Sequence, residues 1–136
     1  MKIRLMYIII FCVLRINASA QNFFMCFTND ANPKMTLTVG FDTKTEKASF
    51  VKYKGQGETI PLYYVRQRFP HKGYATYETT YTEKYRGIQT GTYIFTHSGN
   101  YDYIKYIRKK DNKTFTFTVD LDLSIVDEAY RKTPCY

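Results

Sequence analysis

From Asn22 onward, apolar and polar residues alternate along most of the chain with a period of two. Phe115, Phe117, Val119, Leu121 and Leu123 take turns with Thr114, Thr116, Thr118, Asp120 and Asp122. One face of that segment is apolar and the other polar, as a half-buried strand requires. Met35, Leu37, Val39 and Phe41 repeat the pattern against Thr36 and Thr38. Eight segments read as strands in this way: residues 22–27, 35–41, 47–54, 59–66, 74–85, 89–97, 100–108 and 113–123. Tyr, Phe, Thr, Val and Ile fill them, the side chains that suit a pleated surface. Between them stand Asn29-Asp30-Ala31-Asn32-Pro33, Lys54-Gly55-Gln56-Gly57, Pro70-His71-Lys72-Gly73, Arg86-Gly87, Ser98-Gly99-Asn100 and Lys110-Asp111-Asn112, all rich in turn formers. Links this short join antiparallel neighbours.

Two stretches pull toward helix. Tyr74, Tyr77, Tyr81 and Tyr85 fall at helical spacing, but the Thr and Tyr content of the segment favours a strand with Tyr77, Tyr81 and Tyr85 on one face. Residues 125–132 read as a short C-terminal helix, with Ser124 as its N-cap and acids in its first turn. Eight successive antiparallel strands make an all-β, single-domain antiparallel barrel, or a strongly curved sheet, because closure removes exposed edges. A two-sheet β-sandwich is the alternative.

The first twenty residues change the compartment. Lys2 and Arg4 precede an apolar run from Leu5 to Leu14, and Ala18-Ser19-Ala20 follows, the layout of a secretory signal peptide. Residues 1–20 are expected to be removed, leaving a β-domain over residues 21–136 that is secreted or periplasmic. No apolar run approaches the roughly 20 residues that a membrane helix needs, so no transmembrane segment is expected. The leader would take Cys12, Lys2, Arg4 and Arg15 with it, and the net charge would fall from +8 by three to +5. Cys26 and Cys135 remain, at opposite ends of a chain bound for an oxidising compartment, and are expected to form a disulfide.

Candidate chemistry is sparse. His71 and His97 are the two imidazoles, and both read as surface turn residues. His97 and Ser98 are neighbours on a strand and point to opposite faces, so they make a poor base and nucleophile. Asp120 and Asp122 read as the solvated side of a strand. Two distant cysteines and two histidines show no metal-ligand spacing, and no Gly-rich phosphate loop is present. The chain is thus expected to have no catalytic residues, no metal and no cofactor. Lys105, Arg108, Lys109, Lys110 and Lys113 surround one hairpin, interleaved with Tyr101, Tyr103 and Tyr106. Export argues against nucleic acid as their partner and leaves a solubilising rim or an acidic surface. Asn112-Lys113-Thr114 is a glycosylation sequon, meaningful in a eukaryotic source. With Tyr7 and Phe11 in the leader, 13 of 14 tyrosines and 9 of 10 phenylalanines stay in the domain. That load is more than one core buries, so tyrosines should reach an interface or a lined cavity.

Ser98-Gly99 followed by Tyr101, in a short β-domain with a cysteine near its start, resembles the periplasmic and membrane-bound inhibitors of c-type lysozyme. Those proteins are small eight-stranded barrels that insert a Ser-Gly-x-x-Tyr loop and a following Lys into the lysozyme cleft. Ser98 and Gly99 match the motif, and Tyr101 comes one position early. The lysine would be Lys109 or Lys110, while Asp111 stands where the family has Gly and the usual Trp is missing. The resemblance implies an exported barrel that binds a protein partner, as an inhibitor or immunity-type neutraliser of a cell-wall hydrolase or toxin. Its contact residues would be Ser98, Gly99, Asn100, Tyr101, Tyr103, Lys109 and Lys110. The other expectation is a lipocalin-like carrier of a small apolar or aromatic ligand inside the barrel.

Overall fold

The computed structural model describes residues 21–72 and 75–136. The segment read as a signal peptide lies outside them, as do Gly73 and the expected strand start at Tyr74. Among the described residues, eight antiparallel strands follow one another around a closed barrel: β1 (Asn22–Asn29), β2 (Thr36–Asp42), β3 (Ala48–Tyr53), β4 (Ile60–Arg68), β5 (Thr76–Tyr85), β6 (Ile88–Ser98), β7 (Tyr101–Arg108) and β8 (Thr114–Asp120). Each pairs with its sequence neighbours, and β8 closes on β1 through Cys26↔Asp120 to Asn29↔Phe117. The expected barrel is therefore present, and the alternative of a sandwich is not.

Local chemistry explains the meander. Asn29 Oδ1 accepts from the Ala31 and Asn32 amides, and Asp42 Oδ1 from those of Lys44 and Thr45, so each side chain folds its own turn. Arg86 and Gly87 both have positive φ, at 51° and 78°, the pattern of a two-residue type I′ hairpin. At the β6–β7 hairpin only Gly99 does, at 60°, which fits type II′.

The inward row of each strand makes the core, including Phe27, Val39, Val51, Tyr81, Tyr93, Ile104 and Phe117. Glycine is required at Gly91, where a Cβ would collide with the hydroxyl-bearing edge of the Tyr106 ring. The seam between β3 and β4 is short, with the register pairs Phe50↔Pro61 and Val51↔Ile60, so the last residues of β4 run past the start of β3.

The C-terminal segment corrects the sequence reading. The helical turn is α1 (Leu121–Ser124), and its N-cap is Asp120, whose carboxylate accepts from the Leu123 amide. Ser124 is not the cap, because its hydroxyl is engaged elsewhere. It accepts from Cys26 N at 2.8 Å and donates to Asp120 O at 2.6 Å. Residues 125–130, expected to be helical, form a small hairpin of β9 (Ile125–Val126) and β10 (Ala129–Tyr130). Asp127 and Glu128 turn it with φ of 52° and 64°. The chain then bridges the edge of β1 beyond the end of β8, where the Phe24 amide donates to Arg131 O at 2.8 Å. Cys135 is bonded to Cys26, with Cα atoms 6.0 Å apart. Among the described residues, no helix is long and apolar enough to cross a membrane.

Candidate functional site

Strand direction sorts the loops into two ends. The β2–β3, β4–β5 and β6–β7 connections and the C-terminal hairpin gather at one end, called the mouth; the other turns gather at the far end. A cavity of about 390 Å³ opens in the mouth, within the size range of small-molecule sites. Its floor is apolar and aromatic: Phe23, Met25, Phe27, Phe41 and Phe95, joined by Tyr81. Tyr81 is fixed there because its phenolic oxygen accepts from the Ala48 amide at 2.9 Å.

Two polar groups pair on the β6–β7 wall. A two-residue turn at Gly99-Asn100 sets His97 directly across from Asp102, and both side chains border the cavity. His97 Nδ1 lies 2.8 Å from Asp102 Oδ1. A carboxylate at that distance favours the proton on Nδ1 and turns Nε2 toward acceptance. Nε2 has no partner among the described residues. Tyr77 stacks on the imidazole, with ring centres 5.1 Å apart and planes at 30°. Burial first, then the Asp102 charge, pushes the Tyr77 phenol above its ordinary range, and burial does the same for Tyr81. Both therefore stay protonated near neutral pH.

The cavity also borders the short β3–β4 seam. Gln67, on the part of β4 that runs past the start of β3, donates to Thr79 Oγ1 at 3.2 Å, and the Lys47 ammonium sits 3.9 Å from the centre of the Tyr64 ring. Lys47, Tyr64 and Gln67 all border the cavity.

The sequence-derived contact residues divide between the two ends. Ser98, Gly99 and Asn100 form the β6–β7 turn at the mouth. The Ser98 hydroxyl is paired with Thr76 Oγ1 at 2.9 Å on the outer surface, while His97 points inward, so those two neighbours do face opposite ways. Tyr101 and Tyr103 are exposed beside that turn, and Tyr103 also borders the cavity rim. Lys109 and Lys110 lie in the β7–β8 turn at the far end, a full strand away. An eight-residue strand spans about 26 Å, so the structure does not bring the lysines to the Ser-Gly turn. Tyr106, read with the basic hairpin, is inside the barrel. The knuckle itself is organised by Asp111, which takes Arg108 in a two-point clamp and the Lys113 amide.

His97 is corrected from a surface turn residue to a cavity residue. Asp102, Gln67 and Lys47 were not singled out from the sequence at all. The signal that finds Asp102 is the turn: two residues at Gly99-Asn100 require residue 97 to face residue 102. Against protein-family models, curated proteins and solved structures, the chain matches nothing.

Proposed function

We propose that this β-barrel protein is an exported, non-enzymatic carrier of a small amphipathic molecule, with an aromatic or short aliphatic body and one hydrogen-bonding group. The observation that supports this most directly is the mouth cavity, in which a phenylalanine floor faces an imidazole held by a carboxylate. The body would lie on Phe27, Phe41 and Phe95, releasing water from apolar surface. The polar group would meet His97 Nε2, whose orientation Asp102 fixes in advance. Pre-set donors and acceptors of this kind raise specificity more than affinity.

Displacement of a fluorescent naphthylamine probe by small phenols and alcohols tests the reading. The expected result is saturable binding that Gln67→Trp blocks by filling the cavity, with His97→Phe weakening hydroxyl-bearing ligands and sparing hydrocarbons. Failure of any apolar probe to bind the folded protein would overturn it.

A second reading is favoured by a different observation. Tyr101 and Tyr103 expose 54% and 42% of their surface beside Ser98, Gly99 and Asn100, and exposed tyrosines are common anchors of protein interfaces. This supports an inhibitor or neutraliser of a cell-wall hydrolase or toxin that engages its target through the mouth-side turn, without Lys109 or Lys110. Capture of c-type lysozyme by the protein, abolished by Tyr101→Ala, would establish it; a negative pull-down against lysozymes and exported toxins would dismiss it.

A further inference from the structure

A carboxylate on the inward face of a barrel strand needs partners, because an isolated buried charge is costly. Glu83 occupies such a position on β5, two residues past Tyr81, and only 4% of it is exposed. Its Oε1 accepts from the Thr90 hydroxyl at 2.7 Å and the Tyr106 hydroxyl at 2.8 Å. Its Oε2 has no donor, and Glu83 has no ion-pair partner, among the described residues.

The missing counter-ion is not for want of cations in a chain of net charge +8. The neighbouring cations are placed elsewhere. The Lys84 ammonium lies 4.9 Å from the centre of the Tyr63 ring, the Arg86 guanidinium 5.1 Å from that of Tyr85, and Arg108 is clamped to Asp111. What faces Glu83 instead is a cleft of about 510 Å³ at the far end of the barrel, bordered by Gln56, Glu58, Ile60, Tyr85 and Thr90. Glu58 brings a second carboxylate to its edge, held by the Tyr85 hydroxyl at 3.3 Å.

We propose that this cleft is a second binding site, which takes a small organic primary ammonium ion with Glu83 as its buried counter-ion. The ammonium sits at Glu83 Oε2 and shares its remaining protons with Glu58 and the Gln56 side chain. Its organic body rests on Ile60 and Tyr85, which border the cleft. A divalent metal fits less well. The described residues offer no group of three or more His, Cys, Asp or Glu side chains there, and calcium takes six to eight oxygens. The cleft and the mouth cavity are at opposite ends, so this inference stands apart from the carrier reading.

Amide chemical shifts of the oxidised protein, titrated with benzylammonium and with benzyl alcohol, decide it. Benzylammonium should move Gln56, Gly57, Glu58, Tyr85 and Thr90 saturably, with a Kd of about 1 mM or tighter, and benzyl alcohol should not. Glu83→Gln keeps an acceptor for Thr90 and Tyr106 while removing the charge, and should weaken benzylammonium at least about tenfold. Glu58→Gln, at the edge, should weaken it less. Equal binding of alcohol and ammonium, shifts confined to the mouth, or no saturable shift would each overturn the proposal. The comparison of the two probes on the unaltered protein is decisive even where Glu83→Gln fails to fold.

Discussion

At Gly91 a single methyl group tests how the far half of the barrel is packed. A Cβ there would collide with the edge of the Tyr106 ring, and that ring cannot swing away freely. It stacks on Tyr93 with centres 4.4 Å apart, and its hydroxyl is bonded to Glu83. Gly91→Ala should therefore cost about 1 to 3 kcal/mol, the usual penalty for overfilling a core, seen as a lower urea midpoint with an unchanged slope. Residue-scale features of this kind were only partly legible in the sequence. The pairing of His97 with Asp102 follows by counting outward from the Gly99-Asn100 turn, yet weighing His97 against its neighbour Ser98 hid it. Glu83 was not singled out, although the strand register that puts Tyr77 and Tyr81 on one face puts Glu83 there too. The positions of Lys47 and Gln67 in the cavity lining were not readable, because they depend on where β3 begins relative to β4.

Elements were the most legible scale, since eight strands were expected from apolar and polar patterning between turn residues and eight are present. The largest overrun is at the end of β8, because Leu121 and Leu123 continue the alternation after the backbone has turned into α1 under the Asp120 cap. The same strands set a pH limit. Burial pushes the Tyr53 phenol up to about 12 and raises those of Tyr93 and Tyr106 as well. The unfolded phenol ionises near 10. Folded-state values above that mean the contribution is complete below about pH 10 and is lost as pH rises beyond it, because the unfolded chain sheds its protons first. Tyrosinate absorbance from this cluster and the loss of near-ultraviolet circular dichroism should therefore appear as one step above about pH 10. Ionisation of the cluster within a barrel of native dichroism would contradict it.

At the scale of the whole molecule, Cys26–Cys135 encloses nearly everything, with a sequence separation of 109. Closing a loop of that length in the unfolded chain is worth about 4 to 5 kcal/mol. Denaturant melts with and without reductant should differ by that amount, and identical melts would mean that the bridge contributes nothing. The pairing of the two cysteines was legible from their count and from the expected compartment. The path of the tail was not, since its last segment is ordered by the outside of β1 and by no periodicity of its own. That path also determines where a mechanical load would travel. Pulled from residues 21 and 136, the oxidised chain passes force through a few residues and one covalent bond, and the barrel hangs beside the load like a closed loop on a taut line. Reduction places the barrel in series with the load, and single-molecule stretching should then release roughly 360 to 390 Å of additional chain.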